Sequence, residues 1–154
     1  MKTPVKKDFL TFKDPYFLYL ERFFWVSSKK GLKNPLREWK SEEDIIQACV
    51  VKWVEKHMPQ VQFSSIPNGQ NKSKFMARLF KLTGLRSGAP DLFFFEPRNG
   101  SHGFGLELKT KTGTIQSTQK EWREKLLERG YHHEFAKGLT PAIEAIKKYF
   151  RYEG

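Results

Sequence analysis

Three features of the 154-residue sequence predict one α/β domain behind an N-terminal helical extension. From residue 41 onward, helical and strand periodicities alternate. A segment dense in turn formers separates two apolar runs, and capping signals stand at the starts of the helical stretches. The chain suffices for one substantial core and is short for two. The expected organisation is a basic, aromatic extension over residues 1–40 and the α/β domain over 41–154.

The extension carries ten basic and four acidic residues, and Asp14-Pro15 predicts a helix from about Pro15 to Val26. Its aromatics (Tyr16, Phe17, Tyr19, Phe23, Phe24 and Trp25) surround the helix, which predicts burial against the domain or a second subunit. Ser41 caps a helix running to His57, with Ile46, Cys49, Val50, Trp53 and Val54 inward. Val61 to Ile66 reads as a strand that Pro67-Asn68-Gly69 ends. Lys74 to Leu82 reads as a helix with Lys74, Arg78 and Lys81 on one face and Phe75, Leu79 and Leu82 on the next. Asp91–Phe95 and Phe104–Thr110 then form an antiparallel hairpin. Thr118 with Glu121 makes a capping box for a helix carrying Trp122, Leu126 and Leu127, and Gly130 stops it before a strand from Tyr131 to Ala136. Thr140-Pro141 opens a last helix with Ile143, Ile146 and Phe150 inward.

A formal charge of +11 and a pI near 9.8 favour a polyanionic partner. Nucleic acid is expected before an anionic membrane, because the longest apolar run, Tyr16 to Leu20, is far too short to span a bilayer. The N-terminus lacks the apolar stretch and cleavage site of a secretory signal, so an intracellular location is expected. Cys49 stands alone and His57, His102, His132 and His133 show no zinc-site spacing, which excludes a disulfide framework and a structural zinc.

The chemistry concentrates in the hairpin. Pairing symmetric about Asn99 puts Asp91 opposite Glu107, with Lys109 on the face of Glu107 and Leu108 pointing into the core. Two carboxylates at that distance repel, and a hard divalent cation, Mg²⁺ or Mn²⁺, keeps both ionised. Such an ion polarises a phosphoryl oxygen and acidifies a water, while a lysine orients that water or balances charge. A Glu-x-Lys triplet alone says little, since Glu38-Trp39-Lys40 is another. The strand context, Pro90-Asp91 upstream, and the space left by Gly103 and Gly105 set Glu107-Leu108-Lys109 apart. Between Asn68 and Ala89, Lys72, Lys74, Arg78, Lys81 and Arg86 occur without an acid; these residues and Lys111 are expected to contact phosphate.

Several separated motifs carry a resemblance: Glu43 with Gln47 and Trp53, Ile66-Pro67-Asn68-Gly69, Gly84 with Gly88-Ala89-Pro90-Asp91, Glu107-Leu108-Lys109, and Gln119-Lys120-Glu121-Trp122 followed by Gly130-Tyr131. Over roughly residues 41–150 the sequence resembles the VRR-NUC domains, a branch of the PD-(D/E)XK nucleases. The resemblance implies a restriction-endonuclease-like core, a central mixed sheet flanked by helices. It implies metal binding by Asp91, Glu107 and the Leu108 carbonyl, with Lys109 as the catalytic lysine. Glu43 completes the acidic cluster, chosen over Glu42 for its spacing to Gln47 and Trp53, and Gln119 supports the site. Stand-alone members look like dimeric Holliday-junction resolvases, so the implied protein is a Mg²⁺- or Mn²⁺-dependent endonuclease acting as a homodimer on branched DNA. A nuclease acting on linear duplex, flaps or single strands and a silent DNA-binding module are the alternatives.

Overall fold

The structure, a computed structural model, describes residues 41–67 and 73–154. The expected helix from Pro15 to Val26, the turn at Asn68-Gly69 and Lys72 lie outside the described residues. The elements are α1 (Glu42–His57), β1 (Phe63–Ser65), α2 (Lys74–Leu82), β2 (Leu92–Phe94), β3 (Phe104–Lys109), α3 (Ser117–Glu128), β4 (His132–Lys137) and α4 (Leu139–Phe150).

Helix α1 starts where the Ser41 hydroxyl accepts from Asp44 N, 3.3 Å away, and three acids in its first turn face the positive end of the helix dipole. Ile45, Ile46, Cys49, Val50, Trp53 and Val54 recur at helical spacing and are all buried. They meet Leu139, Ile143 and Ile146 of α4 and Phe104, Leu106 and Leu108 of β3 in one core. Cys49 is a core residue there.

The sheet order is β1-β2-β3-β4, antiparallel between the first three and parallel between β3 and β4. This mixed sheet flanked by helices is the restriction-endonuclease-like α/β fold. A parallel pair needs a crossover, which α3 supplies. Leu92 pairs with Leu106, Phe93 with Gly105 and Phe94 with Phe104, the register expected from symmetry about Asn99. The turn itself is Asn99-Gly100, both with positive φ, closed by two hydrogen bonds between Arg98 and Ser101. Its centre therefore lies half a residue beyond Asn99, and the longer arm before the turn absorbs the extra residue. Asn99 Nδ2 donates to Tyr149 O at 2.9 Å, which fastens the hairpin tip to α4.

The strands are shorter than expected. Asp91 falls just before the β2 ladder, although its carbonyl still accepts from Ile66 N at 2.9 Å. Thr110 falls outside β3, and β4 starts and ends one residue later than the apolar pattern indicates. The capping box of α3 is also displaced: Gln119 Oε1 accepts from Gln116 N at 2.8 Å, so Gln116 caps the helix and Thr118 lies inside it. A glutamine three residues into the helix reaches the cap N–H as well as a glutamate does. Helix α4 begins at Leu139, before Thr140-Pro141. Among the described residues no helix is long and apolar enough to cross a membrane.

Candidate active site

Strand β3 has neighbours on both edges and covered faces, and all six of its residues are buried. Alternation sends Phe104, Leu106 and Leu108 to the core and Gly105, Glu107 and Lys109 to the other face. Gly105 is required there: a Cβ would stand 2.9 Å from Pro90 Cγ and 3.3 Å from His133 Cδ2. Its absence lets Pro90 lie on the strand, which brings Asp91 alongside Glu107.

The two acids and the lysine converge as expected. Asp91 Oδ2 accepts from Leu108 N at 2.8 Å, a side chain taking the place of a ladder partner where β2 has not yet begun. Lys109 O accepts from Gly138 N on the β4 side, so alternation turns the Leu108 carbonyl to the Asp91 side. Lys109 Nζ lies 3.7 Å from Glu107 Oε1 and 3.9 Å from Glu43 Oε1. Glu43, on the first turn of α1, thus reaches the cluster, whereas Glu42 is exposed. Gln119 has both ends committed: its carbonyl caps α3, and its Nε2 donates to Glu107 Oε1.

These charges are largely withdrawn from water, with Asp91, Glu107 and Lys109 at 6%, 2% and 8% exposure. Burial, opposed by the Leu108 N–H and reinforced by the Glu43 charge, raises Asp91 to about 6. Burial and then the Asp91 charge push Glu107 up to about 8, against the pull of Lys109. Glu107 Oε2 is buried without a hydrogen-bond partner. An orphaned carboxylate oxygen and two acids held above their ordinary range describe a place short of positive charge, and the donors are all hard oxygens. That fits a divalent cation of the Mg²⁺ class. Among the described residues no three His, Cys, Asp or Glu side chains form a complete ligand group. The fitting donor set is accordingly two carboxylates and a backbone carbonyl.

The approach to Asp91 is held from α3, which the sequence signals only through Trp122 and Gly88. Trp122 Nε1 donates to Ser87 O at 2.9 Å. Gly88 has φ +91° and lies so close to α3 that a Cβ would meet the Thr118 carbonyl group and, at 2.8 Å, Trp122 Cδ1. Of the expected phosphate contacts, Lys74, Arg78, Lys81 and Lys111 are exposed. Arg86 is exposed too, but its Nη1 donates to Lys81 O and Leu85 O, both at 3.2 Å, and closes the end of α2. His132 lies 2.8 Å from Glu134 Oε1. His133 is a buried strand residue whose ring nitrogens have no partner, and burial lowers it to about 4. A groove of about 750 Å³ beside β4, lined by Lys120, Arg123, His133 and Lys148 among others, includes none of the clustered acids.

Residues 27–139 match the family description of the VRR-NUC domain. The chain belongs to the VRR-NUC domain family. The match starts inside the stretch read as an extension and covers every residue of the cluster. A solved structure titled "VRR_NUC domain protein" is similar with 27% identity and a TM-score of 0.63, over 73% of this chain and 91% of that one. Another, titled "VRR_NUC domain", has 18% identity and a TM-score of 0.50, over 71% of this chain and 99% of that one, and supports the fold alone. No curated protein matches the sequence. VRR-NUC membership makes the function nuclease-type.

Proposed function

We propose that this VRR-NUC protein is a divalent-metal-dependent DNA endonuclease that hydrolyses phosphodiester bonds, acting on branched DNA of the Holliday-junction type as a homodimer. The observation that carries the reading is the pair of buried, charge-starved carboxylates, Asp91 and Glu107, beside the Lys109 ammonium. Asp91, Glu107 and the Leu108 carbonyl would hold Mg²⁺, or Mn²⁺ in its place, and Glu43 completes the acidic cluster. Once bound, the ion supplies Lewis acidity toward a phosphoryl oxygen and toward water. Lys109, drawn by both Glu43 and Glu107, is positioned to orient the attacking water or to offset charge on the phosphate. Gln119 fixes the Glu107 carboxylate in one orientation. Lys74, Arg78, Lys81, Arg86 and Lys111, with Lys72, are the proposed phosphate contacts. A two-fold dimer would offer one site to each of two strands across a junction.

The test compares a labelled four-way junction with matched linear duplex and single strand, in Mg²⁺, Mn²⁺ or EDTA, using wild type, Asp91→Asn and Lys109→Ala. Metal-dependent junction cutting lost by more than ~100-fold in both variants is expected. Cutting confined to the linear or single-stranded substrates would remove the junction and keep the nuclease. Folded protein that binds all three and cuts none would leave a DNA-binding module.

A further inference from the structure

Helix α2 carries a surface that the acid cluster does not use. None of its residues is buried, and Phe75 is 74%, Leu82 86%, Leu79 40% and Met76 36% exposed. Positions 75, 79 and 82 form one stripe along the helix, directly beside the stripe of Lys74, Arg78 and Lys81. The helix ends nine residues before Asp91, and the connecting segment is fastened to α3 through Ser87 and Gly88. An apolar edge and a cationic edge thus run side by side along a helix that ends nine residues before Asp91.

We propose that Phe75, Leu79 and Leu82 form a wedge that packs against unstacked base faces of the DNA, while Lys74, Arg78 and Lys81 hold the adjoining phosphates. The proposal rests on the nuclease reading and adds the element that recognises unpaired or branched structure. Two magnitudes favour DNA over a second copy of the chain. The exposed apolar area of the stripe is ~400 Å², about half of the roughly 800 Å² per partner of a standard stable interface. A symmetric pairing of two α2 helices would also bring both sets of cations together, with no acid between residues 73 and 89 to offset them. A polyanion with exposed base faces satisfies both edges, since bases stack on aromatic rings irrespective of sequence and apolar side chains enter opened base steps.

The experiment measures binding in Lys109→Ala protein, which separates it from cutting, with and without the double change Phe75→Ala and Leu82→Ala. The probes are a four-way junction and a single strand carrying 2-aminopurine, and a fully paired duplex. The wedge variant is expected to lose ~10-fold or more in affinity for the junction and the single strand, with duplex binding and melting temperature unchanged. The 2-aminopurine signal on binding should disappear with it. Equal losses on all three DNAs, or no loss, would overturn the wedge. So would a fall from dimer to monomer in light scattering, which assigns the stripe to a second copy. A drop of several degrees in melting temperature would assign it to packing within the chain, and loss of binding to anionic phospholipid vesicles with DNA binding intact would assign it to a membrane. In each of these cases metal-dependent cutting that Asp91→Asn abolishes leaves the nuclease reading standing.

Discussion

Replacing Glu107 with glutamine should stabilise the metal-free protein at neutral pH. Glu107 is held at about 8 against an ordinary 4.5, so in the folded state it keeps its proton through a range where the unfolded chain has lost it. Because the unfolded state binds fewer protons over that window, stability falls as pH rises from about 4.5 to about 8. Asp91, raised from 3.8 to about 6, acts in the same direction over a lower window. At pH 7 the Glu107 shift corresponds to a burden of about 3 kcal/mol, at ~1.4 kcal/mol per pKa unit. Glutamine keeps an oxygen for the Gln119 amide, but its own amide takes the place of the orphaned Oε2, which costs about 1 kcal/mol. The net gain is about 2 kcal/mol, or ~4–8 °C in melting temperature for a domain of this size. Thermal melts in EDTA at pH 5 and pH 7.5 measure it. The variant should exceed wild type at pH 7.5 and lose that advantage at pH 5, where the glutamate is protonated in the fold and still about a quarter protonated outside it. Adding Mg²⁺ should raise the wild-type melting temperature more at pH 7.5 than at pH 5 and leave the variant nearly unmoved. A wild-type melting temperature that is flat or rising across this range in EDTA, with the variant less stable throughout, would refute the burial argument.

Two further changes probe how the acids are held. Gly88→Ala forces a Cβ into the Thr118 carbonyl and the Trp122 ring at a positive φ; a loss of about 2–4 kcal/mol by denaturant titration is expected, with cleavage impaired because Asp91 moves. Gln119→Glu retains an oxygen for the Gln116 N–H but sets a carboxylate against Glu107. Its melting temperature in EDTA should fall below wild type as pH is raised from 5 to 8 and recover partly with Mg²⁺, whereas Gln119→Leu, which loses the cap, should be low at every pH.

The fold was legible wherever one period governed a whole segment. In α1 a single apolar stripe and a serine cap determine the helix, and in the hairpin the pairing of the two apolar runs sets Asp91 near Glu107, while Asn99-Gly100, offset from that register by half a residue, marks only where the chain reverses. Boundaries were less legible because strand ends depend on partners the local sequence does not contain. Asp91 leaves the ladder because its side chain, and not its backbone alone, satisfies Leu108 N. The cap of α3 was misplaced because Gln116 and Gln119 carry a weaker signal than Thr118 and Glu121, and what favours them is tertiary: the same Gln119 side chain also serves Glu107. The convergence of Glu43 on Lys109 follows from the packing of α1 against β3 and is invisible in spacing alone. The apolar edge of α2 was read correctly as a pattern, but a pattern does not tell whether an edge is covered; the exposure of Phe75 and Leu82 does.

Strand β3 departs from the consistency of the rest of the domain at two positions, and the departure is informative. Its six residues are all buried, so an apolar strand would be the stable solution, yet Glu107 and Lys109 occupy two of the three positions on the face away from the core. Lys109 does not neutralise the cluster, since three carboxylates, Asp91, Glu107 and Glu43, share it. An ion-pair network built only for stability would balance its charges and satisfy Glu107 Oε2. This one leaves a surplus of negative charge in a dry place, where Gly105 admits the close approach of Pro90. A deficit of that kind costs stability in the empty protein and is relieved only when positive charge enters. The same feature that lowers stability at neutral pH is therefore what would draw a divalent cation to the scissile phosphate's position, and both effects should vanish together in Glu107→Gln.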